Sequence, residues 1–184
     1  IEIAMRVDDF IEQHMKTDPE LRFLVLHEAQ HKAYRHLQVW SALHDEDAQL
    51  ANIAADHFVN LSLVDMDAGE GFVKMPELGV QPDAKYRGWS VKQIFEDLKQ
   101  EQEEGGGGGG DGDEQGFDEH DWEGAKGLDA KEKEKLADDI KQAIRQGIHA
   151  SKKVGAGGLR DTLGLGELIQ PKVDWRQKLR IFMN

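Results

Sequence analysis

Two histidines and a glutamate lie close together in residues 27–31, in an arrangement that can bind and use a metal ion. The stretch reads His27-Glu28-Ala29-Gln30-His31, which is the HExxH pattern. On a helix, residues four apart share a face, so both imidazoles can reach one ion at about 2.0 to 2.1 Å. Glu28 is placed to act as general base on a metal-bound water that attacks a peptide carbonyl. The pattern therefore predicts a zinc-dependent hydrolase.

The chemistry requires a helix through residues 27–31, and the preceding residues contain signals for its start. Thr17 followed by Glu20 is a candidate capping box, and Pro19 suits a first helical turn. We expect a helix over residues 19–39 or slightly beyond, with a buried metal site behind an apolar stripe formed by Leu21, Leu24 and Val25. The alternative is a surface helix that carries scattered polar residues.

A second long helix is predicted after the polar segment 44–47, and it contains a polar stripe. Asn52, Asp56 and Asn60 are spaced four apart among apolar residues. Buried polar groups need partners, and metal binding would supply one. Because few residues separate the two helices, we expect antiparallel packing that brings Asp56 opposite the two histidines. The alternative is that the stripe faces solvent or caps neighbouring backbone.

Two further histidines are alternative metal ligands. On an unbroken helix, His36 is rotated by about 180° from His27 and points away from the ion, whereas a turn near Lys32 would reverse this. The apolar residues after His36 favour continuation, so we expect it to be a supporting or packing residue. His120 is a candidate late ligand or substrate contact, with a solvated loop histidine as the alternative.

Tyr86 and Arg87 are candidates for stabilising an oxyanion, because a donor near the developing charge would assist hydrolysis. His44 and His57 are expected to be structural or exposed. A nucleophile elbow and a cysteine are both absent from the sequence, which excludes serine and cysteine hydrolase arrangements.

The remaining sequence predicts a mainly α fold, with α+β as the alternative. Residues 1–100 form the metal-motif helical core, 101–116 a flexible glycine-rich acidic insert, and 117–184 a C-terminal helical part of the same domain. Residues 67–89 contain alternating stretches such as 71–75 and allow a small β-hairpin or an extended loop near the site, and Ser90 with Gln93 forms another capping box. Further helices are expected over residues 1–15, 129–150 and 159–169 and after Asp174.

Composition narrows the environment and the partners. The 184 residues carry a formal net charge of −13, which disfavours nucleic acid and anionic membranes as partners. Without cysteine, a zinc ion must be held by nitrogen and oxygen ligands. The sequence shows no membrane span and no signal peptide, so we expect a cytoplasmic protein. Because the chain starts at Ile1, a fragment of a longer protein is also compatible with it.

Four separated blocks resemble the putative metallopeptidase domain family of bacterial and phage proteins, in which a von Willebrand factor A-like domain often follows. The blocks are residues 27–31 with His36, NIAADHFVN at 52–60, GWSVKQIFEDL at 88–98 and PKVDWRQKL at 171–179. Together they span nearly the whole chain.

The resemblance implies a zincin-like fold with the third protein ligand on the next helix, and by that analogy Asp56 joins His27 and His31 on Zn²⁺. It also implies a peptide or protein substrate and, in some relatives, a MoxR-type AAA ATPase partner. The alternative function is a non-catalytic metal-binding scaffold or adaptor that works with such a partner.

Overall fold

The computed structural model describes residues 17–104 and 127–153, with side chains described as far as residue 150. Within these ranges the chain is helical and contains no strand. The helices are α1 (Asp18–Tyr34), α2 (His36–Val39), α3 (Ser41–Glu46), α4 (Ala48–Asp67), α5 (Val91–Glu103) and α6 (Ala130–Lys153), with a 3₁₀ turn at Ala84–Tyr86. The mainly α prediction is confirmed for this part of the chain, whereas residues 71–75 form a loop and not a hairpin.

Helix α1 begins where the sequence predicts but is capped differently. Thr17 is the N-cap in extended conformation and Pro19 lies in the first turn, yet the Thr17 side chain makes no capping hydrogen bond. Glu20 is instead buried and pairs with Lys74 at 2.8 Å. The predicted Thr17–Glu20 capping box is therefore wrong, because the loop after α4 supplies Glu20 with a stronger, charged partner.

The expected continuous helix over residues 19–39 is also wrong, because the chain breaks at Arg35. Arg35 adopts the left-handed conformation, with φ 54° and ψ 43°. This conformation costs a non-glycine residue about 1 to 2 kcal/mol, and no glycine or proline signals it in the sequence. The break turns His36 back into the interior, where its ring contacts those of His31 and Phe58. Packing therefore offsets the local strain.

Helices α1 and α4 pack antiparallel, as predicted. His31 lies beside Asp56, His27 lies beside Asn60, and Phe23 shares an apolar cluster with Val59 and Leu63. Successive residues along α1 therefore contact residues of decreasing number along α4. Asp47 caps α4, since its carboxylate accepts a hydrogen bond from the Leu50 N–H at 2.9 Å.

Helix α5 packs on the other side of α4. Its predicted capping box is confirmed, because the Ser90 side chain accepts from the Gln93 N–H while the Gln93 side chain accepts from the Ser90 N–H. The helix runs to Glu103, into the range 101–116 predicted as a linker. An apolar cluster joins α3, α4 and α5 and consists of Leu43, Leu50, Ala51, Ala54, Ala55, Leu61, Tyr86, Val91, Ile94 and Phe95.

The loop between α4 and α5 is tied to the helices by backbone and side-chain hydrogen bonds. The Asp67 carboxylate accepts from the N–H groups of Gly71 and Val73, both at 2.9 Å. The Lys74 N–H donates to the carbonyl of Pro19 at 3.1 Å. These bonds hold the loop against the start of α1 without forming a sheet.

Helix α6 contacts α1 and confirms the helix predicted over residues 129–150. Asp129 and Glu132 form a reciprocal pair, each side chain accepting from the other's N–H at 2.8 Å. Ala137 and Ile140 are buried on its inner face.

The predicted helices over residues 1–15, 159–169 and after Asp174 lie outside the described residues, as does most of the predicted linker. No helix among the described residues has both the length and the apolar character needed to cross a membrane.

Candidate metal centre

Three side chains that can ligate a metal converge between α1 and α4. The Oδ1 atom of Asp56 lies 3.4 Å from Nε2 of His31 and 3.7 Å from Nε2 of His27. One ligand atom from each residue lies within 4.8 Å of the others. Among the described residues, this is the group of three histidine or acidic side chains that could hold a metal ion.

The spacing of these atoms fits a tetrahedral ion. Donors that lie about 2.0 to 2.1 Å from a tetrahedral zinc ion are about 3.3 to 3.4 Å from one another. Both distances from Asp56 are within a few tenths of an ångström of that value. Two imidazole nitrogens and one carboxylate oxygen also form a donor set that catalytic zinc sites use, with the fourth position left open. The residues present therefore fit such an ion.

The three candidate ligands are buried, as the sequence predicted for the site. His27 is 0% exposed, His31 5% and Asp56 1%. The apolar residues that cover them are only partly those expected: Phe23 and Leu24 are buried, whereas Leu21 and Val25 are 36% and 51% exposed. The inward face of α1 follows Phe23, His27 and Gln30, a helical spacing that places Leu21 and Val25 on the opposite side.

Glu28 lies at the edge of this group. Its Oε1 atom is 3.9 Å from Nε2 of His27, and its side chain is 13% exposed. The carboxylate therefore lies beside the converging donor atoms, between the buried site and the surface. This is where a general base must be placed if it is to exchange a proton with a molecule that enters the site.

The polar stripe on α4 divides into residues with different surroundings. Asp56 belongs to the metal-ligating group, and Asn60 is fully buried against His27. Oδ1 of Asn60 lies 2.7 Å from Nδ1 of His27, and its Nδ2 donates to the Val80 carbonyl at 2.7 Å. Asn52 is only half-buried. Solvent exposure therefore does not explain Asp56 or Asn60.

His36 lies against His31, and the helix break places it there. The two Nδ1 atoms are 3.3 Å apart, and His36 is 2% exposed. His36 is not part of the group whose donor atoms lie within 4.8 Å of one another. The expectation that it points away from the site is wrong, because it assumed a continuous helix. Its expected role as a supporting residue remains a prediction, and His120 lies outside the described residues.

Tyr86 and Arg87, the proposed oxyanion donors, have other neighbours. Arg87 donates two hydrogen bonds to Asp65, at 2.6 and 2.7 Å, on an exposed part of α4. Tyr86 is buried in the cluster between α4 and α5, where its ring packs edge-on against His57. The structure thus gives both side chains structural partners, and the expectation that they stabilise an oxyanion is not supported.

Burial shifts the pKa values of Tyr86 and His57, which pack against each other between α4 and α5. Burial raises the pKa of the Tyr86 phenol to about 12, with the nearby Lys85 ammonium opposing the shift. Burial also lowers the pKa of His57, against the opposing charges of Asp83 and Asp56. Both groups are therefore uncharged at neutral pH, which suits their place beside the apolar cluster.

The fold and the site together define a helical domain with an HExxH helix and a His-His-Asp group that could hold a metal ion. The family model described as "Putative metallopeptidase domain" matches residues 9–184, nearly the whole chain, and the chain belongs to that family. The resemblance found in the four sequence blocks is thereby confirmed. No curated protein and no solved structure is similar enough to the chain to count as a relative.

Proposed function

We propose that this protein is a zinc-dependent peptide hydrolase whose metal is held by His27, His31 and Asp56. The observation that carries the proposal is that Oδ1 of Asp56 lies 3.4 and 3.7 Å from the Nε2 atoms of His31 and His27, close to the donor spacing of a tetrahedral ion, with Glu28 beside them. A purely structural zinc site would close all four positions with protein ligands, whereas three protein ligands leave one position open.

The donor set favours a transition metal such as zinc over calcium and magnesium. Calcium and magnesium prefer sites made mainly of oxygen atoms, whereas two of the three donors here are imidazole nitrogens. When bound, zinc would polarise a substrate carbonyl and lower the pKa of a coordinated water to about 7. With neutral imidazoles and an ionised Asp56, the three ligands would carry a net charge of −1, so a bound divalent ion would give the ion and its ligands a net charge of +1, which would favour an anionic transition state.

Glu28 carries the proton in this proposal. Its carboxylate accepts the proton of the attacking water and then donates it to the amine that leaves when the peptide bond breaks. The Glu28 side chain is 13% exposed, so it lies nearer the surface than the three candidate ligands. With a metal bound, His27 and His31 would be neutral, because an imidazole ligates a metal through a lone pair.

The test compares Glu28→Gln with the wild-type protein in two assays, zinc content and cleavage of a peptide library. We expect the variant to retain one equivalent of zinc and to lose about 10² to 10⁴ of the turnover. Glu96→Gln is a suitable control, since Glu96 is a glutamate on the exposed face of α5. It should retain both zinc and activity.

Other outcomes separate this proposal from its alternative. Stoichiometric zinc without cleavage of any peptide by the wild-type protein would favour a non-catalytic scaffold that works with a partner such as an AAA ATPase. Absence of bound zinc after purification without chelators would contradict both functions. Unchanged turnover in Glu28→Gln would remove Glu28 from the reaction.

A further inference from the structure

The imidazole of His27 is held at both of its nitrogen atoms. Its Nε2 faces the carboxylate of Asp56, while its Nδ1 lies 2.7 Å from Oδ1 of Asn60. Asn60 is 0% exposed and lies one helical turn after Asp56 on α4. One helix of the chain therefore presents both a candidate metal ligand and a partner for the opposite side of the ring.

The second hydrogen bond of Asn60 determines the orientation of its amide. Nδ2 lies 2.7 Å from the carbonyl oxygen of Val80, which can only accept a hydrogen bond. The amide nitrogen must therefore point at Val80, and the amide oxygen must point at His27. Since that oxygen can also only accept, Nδ1 of His27 carries the hydrogen.

This tautomer is the one that metal binding needs. With the hydrogen on Nδ1, the neutral ring keeps its lone pair on Nε2, the atom that faces Asp56. In the other tautomer Nε2 would carry a hydrogen, and the ring would have to rotate or change tautomer before it could bind an ion. An outer hydrogen-bond partner that fixes the ring also increases its basicity as a ligand.

We propose that Asn60 is the positioning residue of the metal site: its amide, fixed by the Val80 carbonyl, holds His27 in the orientation and tautomer that bind the ion. This inference rests on the proposed function, because it assumes that His27 is a metal ligand. The inference gives a role to Asn60, a buried residue of the polar stripe on α4 that is not one of the three candidate ligands.

Two substitutions separate positioning from simple packing. Asn60→Ala removes both hydrogen bonds. Asn60→Asp keeps an oxygen that accepts from His27 but cannot donate to Val80. Val59→Ala is the matched control, since Val59 is the adjacent residue on α4 and equally buried, but its side chain belongs to the apolar cluster around Phe23. Each full-length protein is freed of metal, and its affinity for Zn²⁺ is measured by competition with a chromophoric chelator.

We expect Asn60→Ala to weaken Zn²⁺ binding by about 10- to 100-fold, the usual effect of losing an outer partner of a ligating histidine. Asn60→Asp should bind within about threefold of wild type or more tightly, because a carboxylate partner also orients a ligating imidazole. Val59→Ala should unfold at a lower temperature yet retain its affinity. With Co²⁺ as the probe, the visible spectrum should change in Asn60→Ala and not in Val59→Ala, because it reports ligand geometry.

Affinity in Asn60→Ala that equals the wild-type value, or that falls no further than in Val59→Ala, would overturn the proposal. So would equal losses in Asn60→Ala and Asn60→Asp, because they would show that the contact with Val80 matters and the contact with His27 does not. If Asn60→Ala does not fold, Asn60→Asp decides, and failure of both to fold would assign Asn60 a purely structural role. A wild-type protein that binds no Zn²⁺ would contradict the proposed function instead.

Discussion

Replacing Asp56 by asparagine should separate the stability of the fold from the stability that a metal ion adds. The change keeps the size of the side chain and removes its negative charge at a position that is 1% exposed. An ionised carboxylate is costly to bury, so we expect the zinc-free variant to be no less stable than the zinc-free wild type. The effect of the substitution should therefore appear only when zinc is present.

The magnitude follows from the linkage between binding and unfolding. Free zinc at 100 times its dissociation constant stabilises a folded protein by about 2.7 kcal/mol. For a chain of this size, that corresponds to a rise in the melting temperature of roughly 5 to 11 °C. Loss of a hydrogen-bond partner of a metal ligand weakens metal binding by up to about 100-fold, and loss of a charged ligand should weaken zinc binding at least as much. At the same zinc concentration the variant then gains only about 0.4 kcal/mol, or roughly 1 to 2 °C.

The assay is thermal unfolding with chelator and with buffered zinc, and Asp65→Asn provides the control. Asp65 is an aspartate on the same helix, but it is exposed and pairs with Arg87. Exposed ion pairs contribute about 0 to 1 kcal/mol, so this variant should show the full zinc-induced rise. An equal rise in wild type and Asp56→Asn would refute the assignment of Asp56 as a ligand. An equal loss in both variants would show that the effect is not specific to the site.

Two other substitutions test the surroundings of the site. His36→Ala should still bind one equivalent of zinc, with an affinity lowered by about 10-fold. The reason is that His36 contacts Nδ1 of His31 and not the converging donor atoms. Loss of stoichiometric zinc at saturation would instead show that His36 is a ligand. The free energy of unfolding should fall as the pH rises from 10.0 towards 12. The pKa of Tyr86 is 10.0 in the unfolded chain and is raised to about 12 in the folded protein, so in this range the unfolded state loses a proton that the folded state keeps. Chemical unfolding at a series of pH values measures this decline, which should be smaller in Tyr86→Phe; an identical decline would show that Tyr86 is not its source.

Much of the fold could be predicted because local patterns specify it. The apolar spacing of α6 and the serine-glutamine pair before α5 depend only on neighbouring residues, and both predictions are confirmed. The break at Arg35 could not be predicted, because nothing in the sequence there disfavours a helix. It is favoured only once the His36 ring can pack against His31 and Phe58.

The site shows the same division. The HExxH spacing by itself placed His27 and His31 on one face, and the short connection between helices indicated that Asp56 would face them. The sequence could not distinguish Asn60 from Asn52, which share one periodicity with Asp56, because their roles depend on what lies opposite each helical turn.

Sequence alone therefore determined which residue types could share a metal ion, since a regular helix fixes the spacing of its own side chains. Tertiary structure decided which of those side chains meet and which nitrogen of His27 faces Asp56. These contacts join residues that are distant along the chain, and their energies depend on burial and on partners that no local pattern contains.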